Sequence, residues 1–332
     1  MKINELDIVA ELGSVHDGSF GNAIKLIQLA ADVGANVAKF QLHIAHAETT
    51  LNAPNPSYFS EESRYNYFER IAFTVEQWKE LYKVAKSKNL QFGCSVFSSE
   101  SLNQLLNTGV DIVKIPSGEV TNVSLLKEVA HTCDRVHIST GMSNFKEIDV
   151  AVEILSQVKE LVLFQCRSQY PVPADKIGLN VISEFTHRYG IPIGFSDHST
   201  GVEMSIAAIA LGAVAVEKHL TFSRNMYGSD ASNALEPNEF RILATGAKNV
   251  WTALQNPIIK DDISDLMEMR KVFQKSIAVR TSLNLGHVIM ESDLIFLKPE
   301  IGIPASEINL VIGKRLSRPL PARSVIEPSD LQ

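Results

Sequence analysis

The sequence contains few cysteines, no cluster of basic residues and no long apolar run. Its 332 residues include three cysteines, Cys94, Cys133 and Cys166, which lack metal-ligand spacing and are too few for a disulfide framework. We therefore expect reduced thiols in a cytoplasmic protein. A net charge of −7 without a basic run argues against a nucleic-acid partner. Apolar stretches such as MSIAAIALGAVAV are shorter than the roughly 20 residues that a bilayer requires, and we see no signal peptide, so we expect no membrane partner.

Eight short runs rich in apolar and β-branched residues recur along the first two thirds of the chain. They lie at 7–13, 37–43, 91–97, 111–118, 135–141, 161–166, 191–197 and 213–219. Most are separated by segments with helical periodicity. Continuous apolar strands that alternate with helices indicate a parallel sheet buried on both faces. Eight of them predict an α/β protein with a closed (β/α)8 TIM barrel.

The alternation of apolar strands and helical segments ends near residue 255. We predict a barrel domain at 1–255, a linker at 256–274 and a small module at 275–332. The module contains two similar segments, HVIMESDL and SVIEPSDL, and we predict that each Ser-Asp-Leu begins a short helix.

A long polar loop, residues 44–73, follows the second strand. It carries Pro54, Pro56, Tyr58, Tyr65 and Tyr67. A long loop on the catalytic face of a barrel is typical of a lid or a substrate wall. We expect most of its tyrosines to pack within the loop and one to contact a substrate.

Two histidines end consecutive strands of the predicted barrel. His198 and His219 are 21 residues apart, with one helical segment between them. The carboxyl ends of neighbouring parallel strands lie on the same side of the barrel, where such folds hold their active sites. Two imidazoles there predict a divalent-metal site.

Other polar residues end the remaining strands. Ammonium groups and hydroxyls suit a phosphorylated carboxylate substrate, and they come from Lys39, Lys114, Ser95, Ser117, Ser139 and Ser196. Glu11 supplies a general acid or base. A carbonyl polarised by a metal beside a phospho-anion is what a carbon–carbon condensation needs.

Several motifs follow one another in a family-specific order: AELGSVHDGS, AKFQLH, KIPSGE, STGM, SQYPVP, FSDHS and EKHLT. In these motifs the chain resembles the N-acetylneuraminate (sialic acid) synthase family. Members condense phosphoenolpyruvate with an N-acyl-mannosamine-type sugar to a nonulosonic acid and release phosphate. They consist of a barrel and a small antifreeze-like (SAF) domain, which residues 275–332 also resemble.

The resemblance implies roles for individual residues. His198 and His219 match the metal ligands, with Mn²⁺ expected and Mg²⁺ or Zn²⁺ as alternatives, and Glu11 matches the catalytic glutamate. Positions around phosphoenolpyruvate match Lys39, Ser95, Lys114, Ser117, Ser139, Ser168 and Ser196. Positions around the acceptor sugar match Gln41, Glu119, Tyr170 and Asp230. The resemblance also implies a domain-swapped homodimer in which the SAF domain of one chain caps the barrel of the other.

The chain departs from the family pattern at several places. Val15 precedes His16 where the family has asparagine, and MYGSDAS replaces a Pro-Gly-Pro-Asp turn after His219. Arg167 replaces a threonine, and LKPEIGIP lacks the SAF arginine, leaving Lys298 there. We hypothesise that Arg167 restores positive charge to the cavity; the alternative is that it pairs with Glu11 or Glu217.

For several other polar residues we expect supporting or structural roles rather than direct contact with a substrate. We expect Asp197 to orient His198 and Glu217 to pair with a lysine. His16 and His43 are left open between site and scaffold. Four further histidines are interpreted as surface or packing residues: His131, His137, His187 and His287.

The alternative functions stay open at this point. Legionaminic, pseudaminic or spore-coat-type sugar acid synthesis fits the same residues. A pyruvate aldolase is disfavoured by the series of serines at the strand ends. A sugar-binding paralogue without catalysis would have to explain the retained Glu11, both histidines and both lysines.

Overall fold

The computed structural model describes residues 5–55 and 62–332, so Pro56 and Tyr58 of the long loop lie outside the described residues. The chain forms two compact units, Met1–Asn256 and Pro257–Gln332. Residues 257–274, which include most of the predicted linker, belong to the second unit.

The first unit is the predicted barrel. Its eight strands are all parallel and follow chain order, and β8 pairs with β1 to close the sheet. They are β1 (Asp7–Gly13), β2 (Val37–Leu42), β3 (Gln91–Val96), β4 (Ile112–Ile115), β5 (Arg135–Ser139), β6 (Glu160–Cys166), β7 (Ile193–Asp197) and β8 (Ala215–His219). Each strand overlaps one of the eight apolar runs.

Helices surround the barrel between its strands. They are α1 (Phe20–Asp32), α2 (Ala45–Glu48), α3 (Arg64–Ile71), α4 (Val75–Ser87), α5 (Ser99–Leu106), α6 (Val123–Thr132), α7 (Phe145–Leu155), α8 (Asn180–Tyr189), α9 (Glu203–Ala210) and α10 (Pro237–Gln255). Short 3₁₀ turns occupy Ser117–Glu119, Ala174–Lys176 and Ala231–Asn233. The hydroxyls of Thr74 and Ser98 cap α4 and α5 in capping boxes. Within residues 5–55 and 62–332, no helix has both the length and the apolar character needed to cross a membrane.

The barrel interior changes from apolar to charged along its axis. Val9, Val37 and Ile112 pack together from three different strands. Because side chains alternate along a strand, the residues two positions further on also face the interior. These are Glu11, Lys39 and Lys114, and all three are buried. The apolar layer therefore lies beneath a charged layer at the carboxyl ends of the strands.

The second unit is built around a small sheet. Helix α11 (Met267–Phe273) precedes β9 (Ser276–Val279), which pairs antiparallel with β10 (Leu294–Leu297). Further 3₁₀ turns occupy Ser264–Leu266, Glu291–Asp293, Ala305–Leu310 and Pro328–Asp330. The unit has its own apolar core, which includes Ile277, Val279, Ile289, Val311 and Leu316.

The prediction that each Ser-Asp-Leu begins a helix is wrong. Asp293 and Asp330 are the last residues of their 3₁₀ turns. Their carboxylates accept hydrogen bonds of 2.9 Å from the backbone N–H groups of Met290 and Glu327, three residues earlier. Each aspartate thus lies at the end of its turn, and its carboxylate caps the backbone N–H group just before the turn begins.

Candidate active site

A cavity of about 530 Å³ opens at the carboxyl ends of the barrel strands. Every predicted site residue except Arg167 lines it. These are Glu11, Lys39, Gln41, Ser95, Lys114, Ser117, Glu119, Ser139, Ser168, Tyr170, Ser196, His198, His219 and Asp230. The cavity brings the candidate metal, phosphoenolpyruvate and sugar residues into one place.

Two lysines and two glutamates form the charged floor of the cavity. Lys39 Nζ lies 2.5 Å from Glu11 Oε2 and 3.7 Å from Glu217 Oε1, and it donates a 3.0 Å hydrogen bond to Ser95 Oγ. Lys114 Nζ lies 3.2 Å from Glu217 Oε2. Glu217 therefore pairs with lysine, as expected, and it contacts both. Two ammonium groups held side by side suit a substrate with two anionic groups.

The two glutamates of the floor differ in acidity. Burial raises the pKa of Glu11 to about 7, against the opposing effect of Lys39. Burial also acts to raise the pKa of Glu217, but Lys114 and Lys39 outweigh it and lower that pKa to about 2. Carboxyl groups with separated pKa values take different roles. Glu217 stays ionised and holds the lysines, whereas Glu11 can gain or lose a proton near neutral pH.

The two histidines lie beside each other above this floor. Their ring centroids are 5.9 Å apart, and the Tyr170 ring lies 4.1 Å from His198. His198 Nδ1 donates a 2.8 Å hydrogen bond to the Arg167 carbonyl oxygen, which leaves Nε2 with its lone pair. Burial lowers the pKa of His219 to about 4, so that this imidazole is neutral, as a metal ligand must be.

The donor set fits an open metal site. Among the described residues, the buried Nδ1 atom of His219 has no hydrogen-bond partner, and the bond to the Arg167 carbonyl uses Nδ1 of His198 rather than Nε2. In the described part of the chain, no group of three or more His, Cys, Asp or Glu side chains is arranged to hold a metal ion. Two imidazoles would therefore hold the ion, with water or substrate oxygens in the remaining positions, which suits catalysis better than a closed structural site.

The expected contact between Asp197 and His198 is wrong. Asp197 Oδ2 lies 3.0 Å from Lys218 Nζ and accepts a 2.7 Å hydrogen bond from Ser205 Oγ. Consecutive residues of a strand point to opposite faces, so Asp197 faces the helices while His198 faces the cavity. The group that orients His198 is the Arg167 carbonyl.

The structure supports neither interpretation of the Arg167 side chain. That side chain is exposed and is not among those that line the cavity. It forms no ion pair with Glu11 or Glu217, whose lysine partners are Lys39 and Lys114. Arg167 follows the last residue of β6, where the chain has left the barrel wall and its side chain points to solvent.

An aromatic wall closes one side of the cavity and was only partly predicted. The His43 ring is stacked between Phe68 and Phe97, at centroid distances of 3.8 and 4.2 Å. Its Nδ1 and Nε2 atoms lie 2.8 Å from Glu48 Oε1 and 3.0 Å from Gln41 Oε1. We call His43, Phe68, Phe97, Arg64 and Met142 the outer wall; all five line the cavity.

The long loop contributes to the cavity as predicted. Tyr67 lines it, whereas Tyr65 packs against the cluster of Ala45, Phe68 and Ile71 beneath. The loop was the signal in the sequence for this wall, but the contribution of α3 within it was missed.

The other histidines have structural contacts. His16 is buried, accepts a 3.1 Å hydrogen bond from the Gly18 N–H and packs against Phe73. His137 is buried against Phe164, and His287 pairs with Asp293 at 2.8 Å. His131 and His187 each bond a carbonyl oxygen four residues earlier in their own helices.

Comparison with known proteins identifies related sequences and folds. The model of the NeuB family matches residues 26–258, and that of the SAF domain matches residues 274–332. The chain is 33% identical to an N,N'-diacetyllegionaminic acid synthase of Campylobacter jejuni over 92% of its length and 94% of the relative's. It is 31% identical to the human N-acetylneuraminate-9-phosphate synthase, covering 93% of this chain and 88% of that one. The crystal structure of the N-acetylneuraminic acid (sialic acid) synthetase from Leptospira borgpetersenii superposes with a TM-score of 0.71 at 31% identity, over 80% of this chain and 90% of that chain.

Proposed function

The chain belongs to the NeuB family, and from this we propose that it condenses phosphoenolpyruvate with an N-acyl-mannosamine-type sugar. The products would be a nonulosonic acid and inorganic phosphate. One observation carries the proposal: two buried lysines and two neighbouring imidazoles line the same cavity. The first suits a phosphorylated carboxylate and the second a metal that activates a carbonyl.

The floor of the cavity would bind phosphoenolpyruvate. Lys39 and Lys114 face its anionic groups, and directional hydrogen bonds come from the hydroxyls of Ser95, Ser117, Ser139, Ser168 and Ser196. Binding there competes with the ion pairs to Glu11 and Glu217. The low pKa of Glu217 keeps that carboxylate charged, so the lysines stay in place when the substrate leaves.

The chemistry forms one carbon–carbon bond, and at the former enol carbon it forms a carbon–oxygen bond to water and breaks the one to the phosphate ester. The methylene carbon of phosphoenolpyruvate attacks the sugar aldehyde carbon, and the aldehyde oxygen takes up a proton. Water adds at the former enol carbon and loses a proton. The new hydroxyl then becomes the keto oxygen of the product, and its proton passes to the phosphate as the bond from that carbon to the bridging oxygen breaks. Glu11, with its pKa of about 7, is the group that gives or takes these protons.

We propose that His198 and His219 hold a divalent cation, Mn²⁺ first, with Mg²⁺ or Zn²⁺ as alternatives. The bound ion would supply Lewis-acid polarisation of the sugar carbonyl. Asp230 also lines the cavity, and its Oδ2 accepts a 2.9 Å hydrogen bond from the Ser14 N–H. Gln41 donates a 2.6 Å hydrogen bond to Glu11 Oε1, so this predicted sugar contact adjoins the proton-transfer group.

The outer wall guides the choice of acceptor. Its cation is Arg64, and Glu119 also lines this side of the cavity. His43, Phe68, Phe97 and Met142 present apolar surface, which suits the methyl group of an N-acetyl substituent better than a phosphate ester. We therefore propose an acceptor without a phosphate ester. Legionaminic, pseudaminic and spore-coat-type acids remain the alternative products.

The test is phosphate release from phosphoenolpyruvate with Mn²⁺ and a panel of mono- and di-N-acetylated amino sugars. A sugar phosphorylated on its terminal hydroxyl is included as a matched acceptor. Release that depends on one acceptor, and a product of matching mass, support the proposal. Absence of release with every acceptor contradicts it and favours a sugar-binding protein. Product formation from pyruvate in place of phosphoenolpyruvate would indicate an aldolase.

We further propose a cytoplasmic homodimer in which the second unit of one chain caps the barrel of its partner. The family resemblance supports the dimer, and the three buried, unpaired cysteines are compatible with a reducing compartment. Light scattering after size exclusion tests the stoichiometry. The exchange is tested by mixing a Glu11→Gln chain, which keeps the second unit, with a chain truncated after residue 256, which keeps Glu11. Activity should return only when the second unit of the first chain caps the intact barrel of the other.

A further inference from the structure

Each candidate metal-binding histidine follows a charged residue, and those two charged residues face each other. Asp197 and Lys218 are partners in the register of β7 and β8. Asp197 Oδ2 and Lys218 Nζ are 3.0 Å apart, and both side chains are 1% exposed. The pair lies on the outer face of the barrel wall, because His198 and His219 next to it line the cavity on the inner face.

The ion pair is fully connected to its surroundings. Asp197 also accepts hydrogen bonds from Ser205 Oγ of α9 at 2.7 Å and from the Ser199 N–H at 2.8 Å. Lys218 donates to the Ser199 carbonyl oxygen at 2.5 Å and to Ser199 Oγ at 3.3 Å. Ser199 directly follows His198, so the turn that carries this histidine is held by both members of the pair.

We propose that Asp197 and Lys218 are positioning residues that fix the separation of His198 and His219 for metal binding. A buried ion pair whose hydrogen bonds are all made has one geometry, and its loss leaves a charge without a partner. The pair joins the two strands immediately beside the two imidazoles. The ion pair therefore sets the separation of the two strands from the face of the barrel wall that packs against the helices. The distance between the imidazoles follows from that separation.

The inference rests on the proposed metal site, and it makes a claim that a purely stabilising ion pair would not. A stabilising pair anywhere in the barrel changes the free energy of unfolding. A positioning pair also changes the affinity for the metal in the folded protein. Groups that orient metal ligands typically change that affinity by about 10- to 100-fold.

The barrel offers a matched control pair at its other end. Arg135 Nη2 and Asp7 Oδ2 are 2.6 Å apart, with side chains that are 17% and 3% exposed. This pair joins β5 to β1 at the amino ends of the strands, remote from both histidines. Asp7→Asn therefore removes an interior carboxylate without touching the candidate metal site.

The experiment measures the Kd for Mn²⁺ from the electron paramagnetic resonance signal of the free ion, without substrates. Lys218→Met and Asp197→Asn are each expected to raise this Kd about 10- to 100-fold. Lys218→Arg, which keeps the charge, should recover part of the affinity. Asp7→Asn should leave the Kd within about twofold of wild type, whatever its effect on unfolding by urea.

Further variants keep the result interpretable. The double variant Asp197→Asn, Lys218→Met leaves no unpaired charge and serves if a single variant does not fold. A Kd unchanged in the folded single or double variants would overturn the positioning role while leaving the metal site intact. Wild-type protein whose Mn²⁺ binding is absent, or survives His198→Gln with His219→Gln, would overturn the proposed metal site and this inference with it.

Discussion

The backbone N–H of Gly141 donates a 2.9 Å hydrogen bond to the hydroxyl oxygen of Ser117. Gly141 follows β5 and Ser117 begins the 3₁₀ turn that follows β4, so the bond joins two neighbouring strand ends. A Cβ atom on Gly141 would overlap Ser168 Oγ and would lie 2.9 Å from Ser117 Oγ. The absence of a side chain at this glycine leaves room beside it for two candidate phosphate-binding hydroxyls.

Gly141→Ala is therefore expected to weaken phosphoenolpyruvate binding. The added methyl group must displace Ser117 and Ser168, and overpacking of this kind costs about 1–3 kcal/mol. We expect the KM for phosphoenolpyruvate to rise about 10- to 100-fold and the KM for the sugar to change little. Gly21→Ala is the control, since a Cβ there meets no atom within 4 Å. An unchanged KM for phosphoenolpyruvate in a folded Gly141→Ala protein would contradict the placement of this substrate.

Lys114→Met tests the charged floor. Lys114 Nζ lies 3.2 Å from Glu217 and 3.6 Å from the Phe164 ring centroid. Methionine fills similar space but removes the charge, so kcat/KM for phosphoenolpyruvate should fall by at least about 100-fold, equivalent to roughly 3 kcal/mol. Urea unfolding should show a stability loss of about 3–5 kcal/mol, because Glu217 loses one of its two lysines.

Lys86→Met provides the comparison for the floor lysine. Lys86 is largely exposed and pairs with Asp111 at 2.9 Å on the surface. Its loss should change stability by at most about 1 kcal/mol and leave both KM values unchanged. Equal effects of the two substitutions on kcat/KM would show that Lys114 has no special role.

Phe68→Ala tests the outer wall. The Phe68 ring stacks on His43 at 3.8 Å with an interplanar angle of 6°. Removing it takes away apolar surface and an aromatic contact of about 0.5–1.5 kcal/mol. The KM for the acceptor sugar should rise about tenfold while the KM for phosphoenolpyruvate stays within about twofold.

Phe145→Ala controls for the loss of an aromatic ring elsewhere. Phe145 lies on α7, is 38% exposed and is absent from the cavity lining. Steady-state kinetics with each substrate varied in turn separates the two KM values. If Phe68→Ala raised the KM for phosphoenolpyruvate as much as the KM for the sugar, the assignment of the outer wall to the acceptor sugar would be wrong.

The sequence was most informative where the fold is determined by repetition. Eight apolar runs of similar length predicted a closed barrel, and a closed barrel necessarily gathers the ends of its strands. Lys39 on β2 and Lys114 on β4 are far apart in sequence, yet their convergence on Glu217 follows from that closure. The predicted site residues on strands could therefore be named before their contacts were known.

Side-chain direction and packing around the strand ends were predicted less well. Asp197 is adjacent to His198 in sequence, but the alternation of a strand turns its side chain to the opposite face. Arg167 lies one residue past β6, where no strand geometry fixes its direction. The stack of Phe68, His43 and Phe97 joins three separate segments, so its formation depends on how α3 packs, which no local pattern encodes.

The pH dependence of stability should reveal the cost of burying Asp7. Burial raises the pKa of Asp7 to about 6, although Arg135 lies 2.6 Å away and opposes the shift. In the unfolded chain an aspartate titrates near pH 4, so the folded protein binds this proton more tightly. Asp7 therefore contributes stability below about pH 4 that is lost as pH rises through about 6. Since Asp7→Asn cannot ionise, the stability of wild type relative to this variant should fall by about 1–3 kcal/mol from pH 4 to 7.

Urea unfolding at several pH values measures that difference. Both tryptophans of the chain, Trp78 and Trp251, lie in the first unit, so their fluorescence reports on the unit that contains Asp7. Asp149→Asn is a control of opposite sign, because hydrogen bonds from Arg188 lower the pKa of this exposed aspartate. The stability that Asp149 contributes is present above about pH 4 and is lost as the pH falls below that value. If the difference for Asp7 instead grew with rising pH, attraction to Arg135 would outweigh burial, and the ion pair at the amino ends of the strands would stabilise the barrel.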